Sequence, residues 1–219
     1  MQPETQIHIE GVIFDYGNVI CLPQQPSDVE AMAAVCRMPV AQFNELYWRL
    51  RPAYDLGEMD GTSYWTSLAG LQGLSLTGDE IARLIVLDCE SWAKPNEETV
   101  SWVERLHAEG VRLALLSNMP LEISRFLARS CQVLKRFDDL IYSCDVGSMK
   151  PDPRIYNTCL AEMKLKPGEV LFLDDRPDNV DAASALGIHS LLFDTVESTS
   201  RRAKRFDLPS LPDARLKAL

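Results

Sequence analysis

Val12-Ile13-Phe14-Asp15-Tyr16-Gly17-Asn18-Val19-Ile20 decides how this chain folds. Three apolar residues lead straight into a carboxylate, the pattern of a buried strand that ends on Asp15. In open α/β proteins ligands bind beyond the carboxyl ends of the strands, so an acid there stands where chemistry is done. Two positions later, where a second acid would complete a catalytic pair, stands Gly17.

Working outward, short apolar runs at 8–15, 111–116, 138–143, 169–173 and 189–193 predict strands. Helical patterns at 97–109, 120–131, 153–164 and 177–186 fall between them. That alternation predicts an α/β fold, with a Rossmann-like parallel sheet covered by helices on both faces. Residues 21–94 break the rhythm. They hold no strand-like run and three or four amphipathic helical stretches, with a helix start at Thr77-Gly78-Asp79-Glu80. The expectation is a core built from 1–20 and 95–219, with a small all-helical cap inserted at 21–94. Lys94-Pro95 marks the return, because a residue before proline is pushed out of the helical region.

The 219 residues carry a net charge of −10, which argues against nucleic acid or an anionic membrane as partner. A basic cluster at Arg201–Arg205, on a last amphipathic helix before an irregular tail, does not change that balance. The longest apolar runs are far shorter than the ~20 residues that span a bilayer. No charged-then-apolar leader opens the chain, and its six scattered cysteines form no C-x-x-C pair. Reduced, mostly buried thiols in a cytoplasmic protein are therefore expected, as a monomer or homodimer.

Four segments follow the predicted strands or precede the next helix. They are Asp15-Tyr16-Gly17-Asn18, Ser117-Asn118-Met119-Pro120, Ser148-Met149-Lys150-Pro151 and Asp174-Asp175-Arg176-Pro177-Asp178-Asn179. Singly, each acid reads as a turn former or helix cap, Ser117 as a cap for the helix at Pro120, and Lys150 as a surface lysine. Together they bring a carboxylate, a hydroxyl, a lysine and a carboxylate pair to one end of one sheet.

FDYGNVI, LLSN, Lys150-Pro151 and LDDRPDN resemble, in order, the four motifs of the haloacid dehalogenase superfamily. The insertion resembles the helical cap of its first subclass, and the first motif is a D-x-G-N variant. The resemblance implies Asp15 as a nucleophile that forms an aspartyl-phosphate. It implies Mg²⁺ held by Asp15, the Gly17 carbonyl and Asp175. Ser117 and the Asn118 N–H would hold phosphate oxygens, with Tyr16 beside them, and Lys150 would offset the charge. Asp174 would orient Lys150 or a metal-bound water, and Asn179 would close the metal's surroundings.

Most phosphatases of this superfamily carry an aspartate at the place of Gly17, where it protonates the leaving group. Here that carrier is missing, and His8, His107 and His189 lie away from the motifs. General acid–base assistance is worth about 10²–10⁴-fold, so its loss leaves a slower enzyme that favours leaving groups departing as anions. The expected function is a Mg²⁺-dependent phosphatase for a small phosphate ester, such as a sugar 1-phosphate. The alternatives are a weak or inactive phosphate-binding regulator and a metal-free 2-haloacid dehalogenase. In the cap, Arg49, Arg51, Tyr54 and Glu58 are candidates for substrate contact, and Trp48 and Trp65 are expected in its core.

Overall fold

The computed structural model describes residues 6–209. Five strands form one parallel sheet: β1 (Gly11–Phe14), β2 (Arg112–Ser117), β3 (Asp139–Tyr142), β4 (Val170–Asp174) and β5 (His189–Leu192). Their order across the sheet is β3-β2-β1-β4-β5, with β1 at the centre. From β1 the chain winds outward through β2 and β3, then returns to the other side at β4. A crevice opens where such a winding reverses, between β1 and its neighbours.

The central strands are apolar on both faces because helices cover both. Val12, Phe14, Leu113, Leu115, Leu171 and Leu173 pack on one side with Trp102, Val103 and Leu106 of α5 (Glu97–Ala108). Phe14 meets the Trp102 ring edge-on at 5.8 Å. On the other side Ile13, Ala114, Leu116 and Phe172 pack with Ile155, Tyr156 and Cys159 of the helix Pro153–Met163, and with Ala183 of the helix Pro177–Ala185. The predicted strands and helices of this layer all exist, with ends displaced by at most three residues. The last helix, Val196–Ala203, ties its arginines to Glu197 and Asp194, and the tail expected beyond it lies largely outside the described residues.

Between β1 and α5 run four helices: α1 (Pro26–Val35), α2 (Val40–Asp55), α3 (Gly61–Gly70) and α4 (Gly78–Ser91). They bury their own aromatic core of Phe43, Tyr47, Tyr54, Tyr64 and Trp65, with Phe43 stacked on Trp65. Thr77 and Glu80 close α4 in a reciprocal cap, as predicted. The chain leaves and re-enters the sheet side by side. Leu22 N–H donates to the Lys94 carbonyl at 2.8 Å, and Asn96 N–H donates to the Ile20 carbonyl at 2.9 Å.

Two further contacts hold the helical cap on the sheet. Glu122, at the start of α6 (Leu121–Ser130), accepts from Gly61 N–H at 2.7 Å. Just past α2, Gly57 adopts φ +74°, and an added Cβ would stand 3.1 Å from the Cys144 carbonyl oxygen. Left-handed backbone costs an L-residue about 1–2 kcal/mol, and the close approach adds to it. Gly57→Ala is therefore expected to lower stability by at least about 1 kcal/mol, read from the midpoint of denaturant unfolding.

Candidate active site

β1 ends at Phe14, and Asp15 caps the single wide turn that follows, Tyr16–Ile20. Asp15 Oδ1 accepts from Tyr16 N–H at 2.7 Å, and Cys21 N–H closes the turn on the Tyr16 carbonyl at 3.0 Å. Inside the turn Gly17 has φ −63°, which any residue adopts, whereas Asn18 takes φ +57°. Asparagine tolerates that region better than most side chains. A Cβ on Gly17 would meet only the Trp92 ring, at an ordinary 3.5 Å. Neither backbone conformation nor space therefore demands glycine here.

Lys150 reaches the same point from the segment between β3 and the helix Pro153–Met163. Its Nζ lies 2.7 Å from Asp15 Oδ1 and 2.7 Å from Asp174 Oδ2, in a setting that leaves it 3% exposed. Two carboxylates on one ammonium outweigh the burial that opposes its charge, and lift Lys150 above its ordinary pKa. Asp15 moves up to about 7, chiefly through burial; Lys150 opposes the shift, and Asp174 and Asp175 add to it.

Each of these groups is held by a further partner. Asn179 Nδ2 donates to both oxygens of Asp174 at 3.0 Å, and Arg176 N–H donates to Oδ1 at 2.8 Å. Asp174 thus orients Lys150, and Asn179 orients Asp174. Asn118 exchanges two bonds with the backbone of residue 150, at 2.8 and 2.9 Å. Its side chain is engaged in placing Lys150. Ser117 ends β2, buried at the same rim. Asn18 Nδ2 donates to Asp175 Oδ2 at 2.8 Å.

Asp15, Asp174 and Asp175 each bring a carboxylate oxygen within 4.8 Å of the others. An all-oxygen cluster suits a hard cation such as Mg²⁺, so the donor set fits the metal that the sequence implies. A cavity of about 410 Å³ opens above these residues. Asp15, Gly17, Ser117, Asn118, Lys150 and Asp175 line it from the sheet, and Trp48, Arg51, Pro52, Asp55 and Trp92 from the cap and its return.

Several cap residues differ from expectation. Trp48, expected in the cap core, is 46% exposed and lines the cavity, its ring 6.2 Å from that of Trp92. Of the four candidates for substrate contact only Arg51 lines it. Arg49 and Glu58 are exposed elsewhere, and Tyr54 is buried against Tyr64. Trp65 is fully buried, as expected. Tyr16 borders the cavity, but its hydroxyl is committed to the Trp92 carbonyl at 2.8 Å. Sequence reading missed a buried cluster in the cap. Arg51 Nε donates to Asp55 Oδ1 at 2.7 Å, Arg51 also bonds Tyr47 and Asp88, and Tyr47 donates to Asp88 at 2.6 Å. Its only sequence signal is the four-residue spacing of Arg51 and Asp55 on one helix.

These features define an α/β protein whose cleft sits at the reversal point of a parallel sheet, beneath a helical cap. The chain belongs to the haloacid dehalogenase-like hydrolases, whose family model matches residues 9–187. It is 40% identical over 86 residues to mouse bifunctional epoxide hydrolase 2, a match spanning 39% of this chain and 16% of that protein. It is 29% identical over 134 residues to a Mycobacterium tuberculosis phosphatase, over 61% of this chain and 60% of the other. Among solved structures, a haloacid dehalogenase family enzyme of Bacteroides thetaiotaomicron, in complex with magnesium and inorganic phosphate, superposes with a TM-score of 0.66 at 17% identity. That superposition covers 85% of this chain and 94% of the other. The L-2-haloacid dehalogenase of Xanthobacter autotrophicus with chloropropionic acid covalently bound shares the fold at TM-score 0.65 and 17% identity, over 93% and 85% of the two chains.

Removing the Lys150 ammonium leaves Asp15 and Asp174 facing each other while buried. Breaking one side of a buried ion pair costs about 3–5 kcal/mol. In EDTA, Lys150→Met is expected to lose that much stability at pH 8. A carboxyl raised on folding favours the protonated native state, so stability falls as pH rises from about 4 to about 7. The variant should therefore recover stability towards pH 5, which thermal melts across this range would read.

Proposed function

We propose that this chain is a Mg²⁺-dependent phosphatase that hydrolyses a small phosphorylated metabolite through an aspartyl-phosphate. The observation that carries the reading is the buried Asp15 carboxylate, paired to Lys150 and clustered with Asp174 and Asp175 at the mouth of one cavity. The M. tuberculosis relative, itself a phosphatase, and the phosphate-bound B. thetaiotaomicron neighbour support the same reading. In this reading residues 1–20 and 95–219 form the core of a first-subclass member, 21–94 form its cap, and FDYGNVI is the D-x-G-N form of the first motif. Cytoplasmic placement belongs to it too: among the described residues no helix is long and apolar enough to cross a membrane, and all six cysteines are free thiols.

Mg²⁺ would be held by Asp15, the Gly17 carbonyl and Asp175, and when bound supplies positive charge to the phosphoryl oxygens. Everything else is done by the chain. Asp15 Oδ1 already accepts two bonds, from Tyr16 N–H and Lys150, which fix the carboxylate for attack on phosphorus. Lys150 neutralises the charge gathered between that carboxylate and the phosphoryl group. Ser117 and the Asn118 N–H take the remaining phosphate oxygens. Asp174 and Asn179 keep Lys150 in place, and the cap excludes water while the covalent intermediate lasts.

The cavity of about 410 Å³ suits a phosphate with a body of monosaccharide size. A sugar 1-phosphate or another ester with a readily departing group is the preferred substrate. The paired carboxylates Asp174 and Asp175 weigh against a metal-free dehalogenase, and the intact Asp15–Lys150 pair weighs against a silent phosphate-binding regulator.

The test is phosphate release from p-nitrophenyl phosphate. Turnover is expected with Mg²⁺, is lost in EDTA, and falls by at least about 10³-fold in Asp15→Asn, where the nucleophile is gone. Metal-independent turnover, or an active Asp15→Asn protein, would refute the assignment.

A further inference from the structure

Resting on the phosphatase reading, we infer that Asp55 of the cap carries the proton which the first motif, with Gly17, has no side chain to carry. In-line displacement puts the leaving oxygen opposite the attacking Asp15 carboxylate. That side of the cavity is the one the cap lines, with Trp48, Arg51 and Asp55. The carboxylates lining the cavity are Asp15, Asp55 and Asp175. Asp15 and Asp175 stand on the sheet in other roles, which leaves Asp55 as the acid facing them from the cap.

Asp55 is also held more firmly than a chance surface acid would be. It ends α2, and its backbone carbonyl accepts from Ser143 Oγ at 2.5 Å. Ser143 Oγ in turn accepts from Met119 N–H at 2.9 Å, two residues past Ser117. A two-bond bridge therefore fixes Asp55 to the loop that would hold the phosphate, and Gly57 allows the approach. Asp55 Oδ1 takes the Arg51 Nε–H, and the side chain keeps 11% of its surface open.

The surrounding charges suit a group that gives and takes a proton. Arg51 lies on the same helix and Asp88 on α4, so one guanidinium serves two acids, with Tyr47 bonded to both Arg51 and Asp88. Burial pushes the Asp55 carboxyl up to about 6; Arg51 opposes the shift and Asp88 adds to it. A carrier poised near neutrality serves both half-reactions.

In the first, Asp15 bonds to phosphorus while the bond from phosphorus to the leaving oxygen breaks. That oxygen takes the Asp55 proton and departs as an alcohol, leaving Asp55 ionised. In the second, a water attacks phosphorus and gives a proton to Asp55. The bond from phosphorus to Asp15 then breaks, releasing inorganic phosphate and restoring both acids.

The experiment compares an alkyl ester, glycerol phosphate, with p-nitrophenyl phosphate, whose leaving group departs without a proton. Asp55→Asn keeps an acceptor for Arg51 but cannot carry a proton. It should slow alkyl turnover by about 10²–10⁴-fold. On the aryl ester it should still release nitrophenolate in a first-turnover burst and then accumulate phosphorylated enzyme, visible by intact mass. Gly17→Asp added to Asp55→Asn should restore alkyl turnover, since the Gly17 backbone accepts a side chain. Asp55→Glu, which keeps the carboxyl, guards against a folding defect, and melting curves are read for every variant. Equal slowing of the first turnover on both esters in a folded Asp55→Asn protein, or no slowing of either ester, overturns Asp55 as the carrier and leaves the phosphatase standing. No turnover of either ester by the unsubstituted protein overturns both.

Discussion

One ammonium organises the site. Lys150 Nζ lies 2.7 Å from both Asp15 and Asp174, nearly sealed from water, so neither carboxylate can ionise cheaply without it. Because β1 and β4 are neighbours in the sheet, the two acids arrive side by side, and the lysine reaches them from the loop that follows β3. The side chains of Asn118 and Asn179 and the backbone N–H of Arg176 hold that trio. The amide side chains of Asn118 and Asn179 are thus occupied in fixing a charge, and Ser117, Asp175 and the Arg176 side chain are left to face the cavity.

The cap imposes a second constraint. It has its own aromatic core and meets the sheet through few polar contacts, at Gly61 with Glu122 and at Asp55 with Ser143. Few contacts would suit the water-excluding lid proposed above, and each must then be accurate. Ser143 illustrates how that accuracy arises. Its single hydroxyl, on a fully buried residue, accepts from the sheet's loop and donates to the last turn of α2.

How much was legible in the sequence divides along the same line. The sheet was readable because its strands are apolar on both faces and bounded by abrupt polar segments, and because those segments carry the chemistry in a fixed order. The placement of Trp48 was not, since an aromatic residue on an amphipathic helix reads as core until the facing surface is known. Nor was the Arg51, Asp55, Asp88 and Tyr47 cluster, whose members come from two helices that periodicity cannot orient against each other. The sequence also left the conformation of Gly17 open, and there the structure shows an ordinary backbone in ordinary space.

The paired crossings at Ile20–Leu22 and Lys94–Asn96 form the covalent link between the cap and the sheet. The two segments pair antiparallel at Cys21 and Pro95, and the first follows directly on the turn that Asp15 caps. Rotation about that pair would sweep the far end of the cap through a long arc while displacing Asp15 least, as a door moves far at its handle and little at its jamb. In the phosphatase proposed above, exchange of substrate and product would thereby be separated mechanically from the alignment of Asp15.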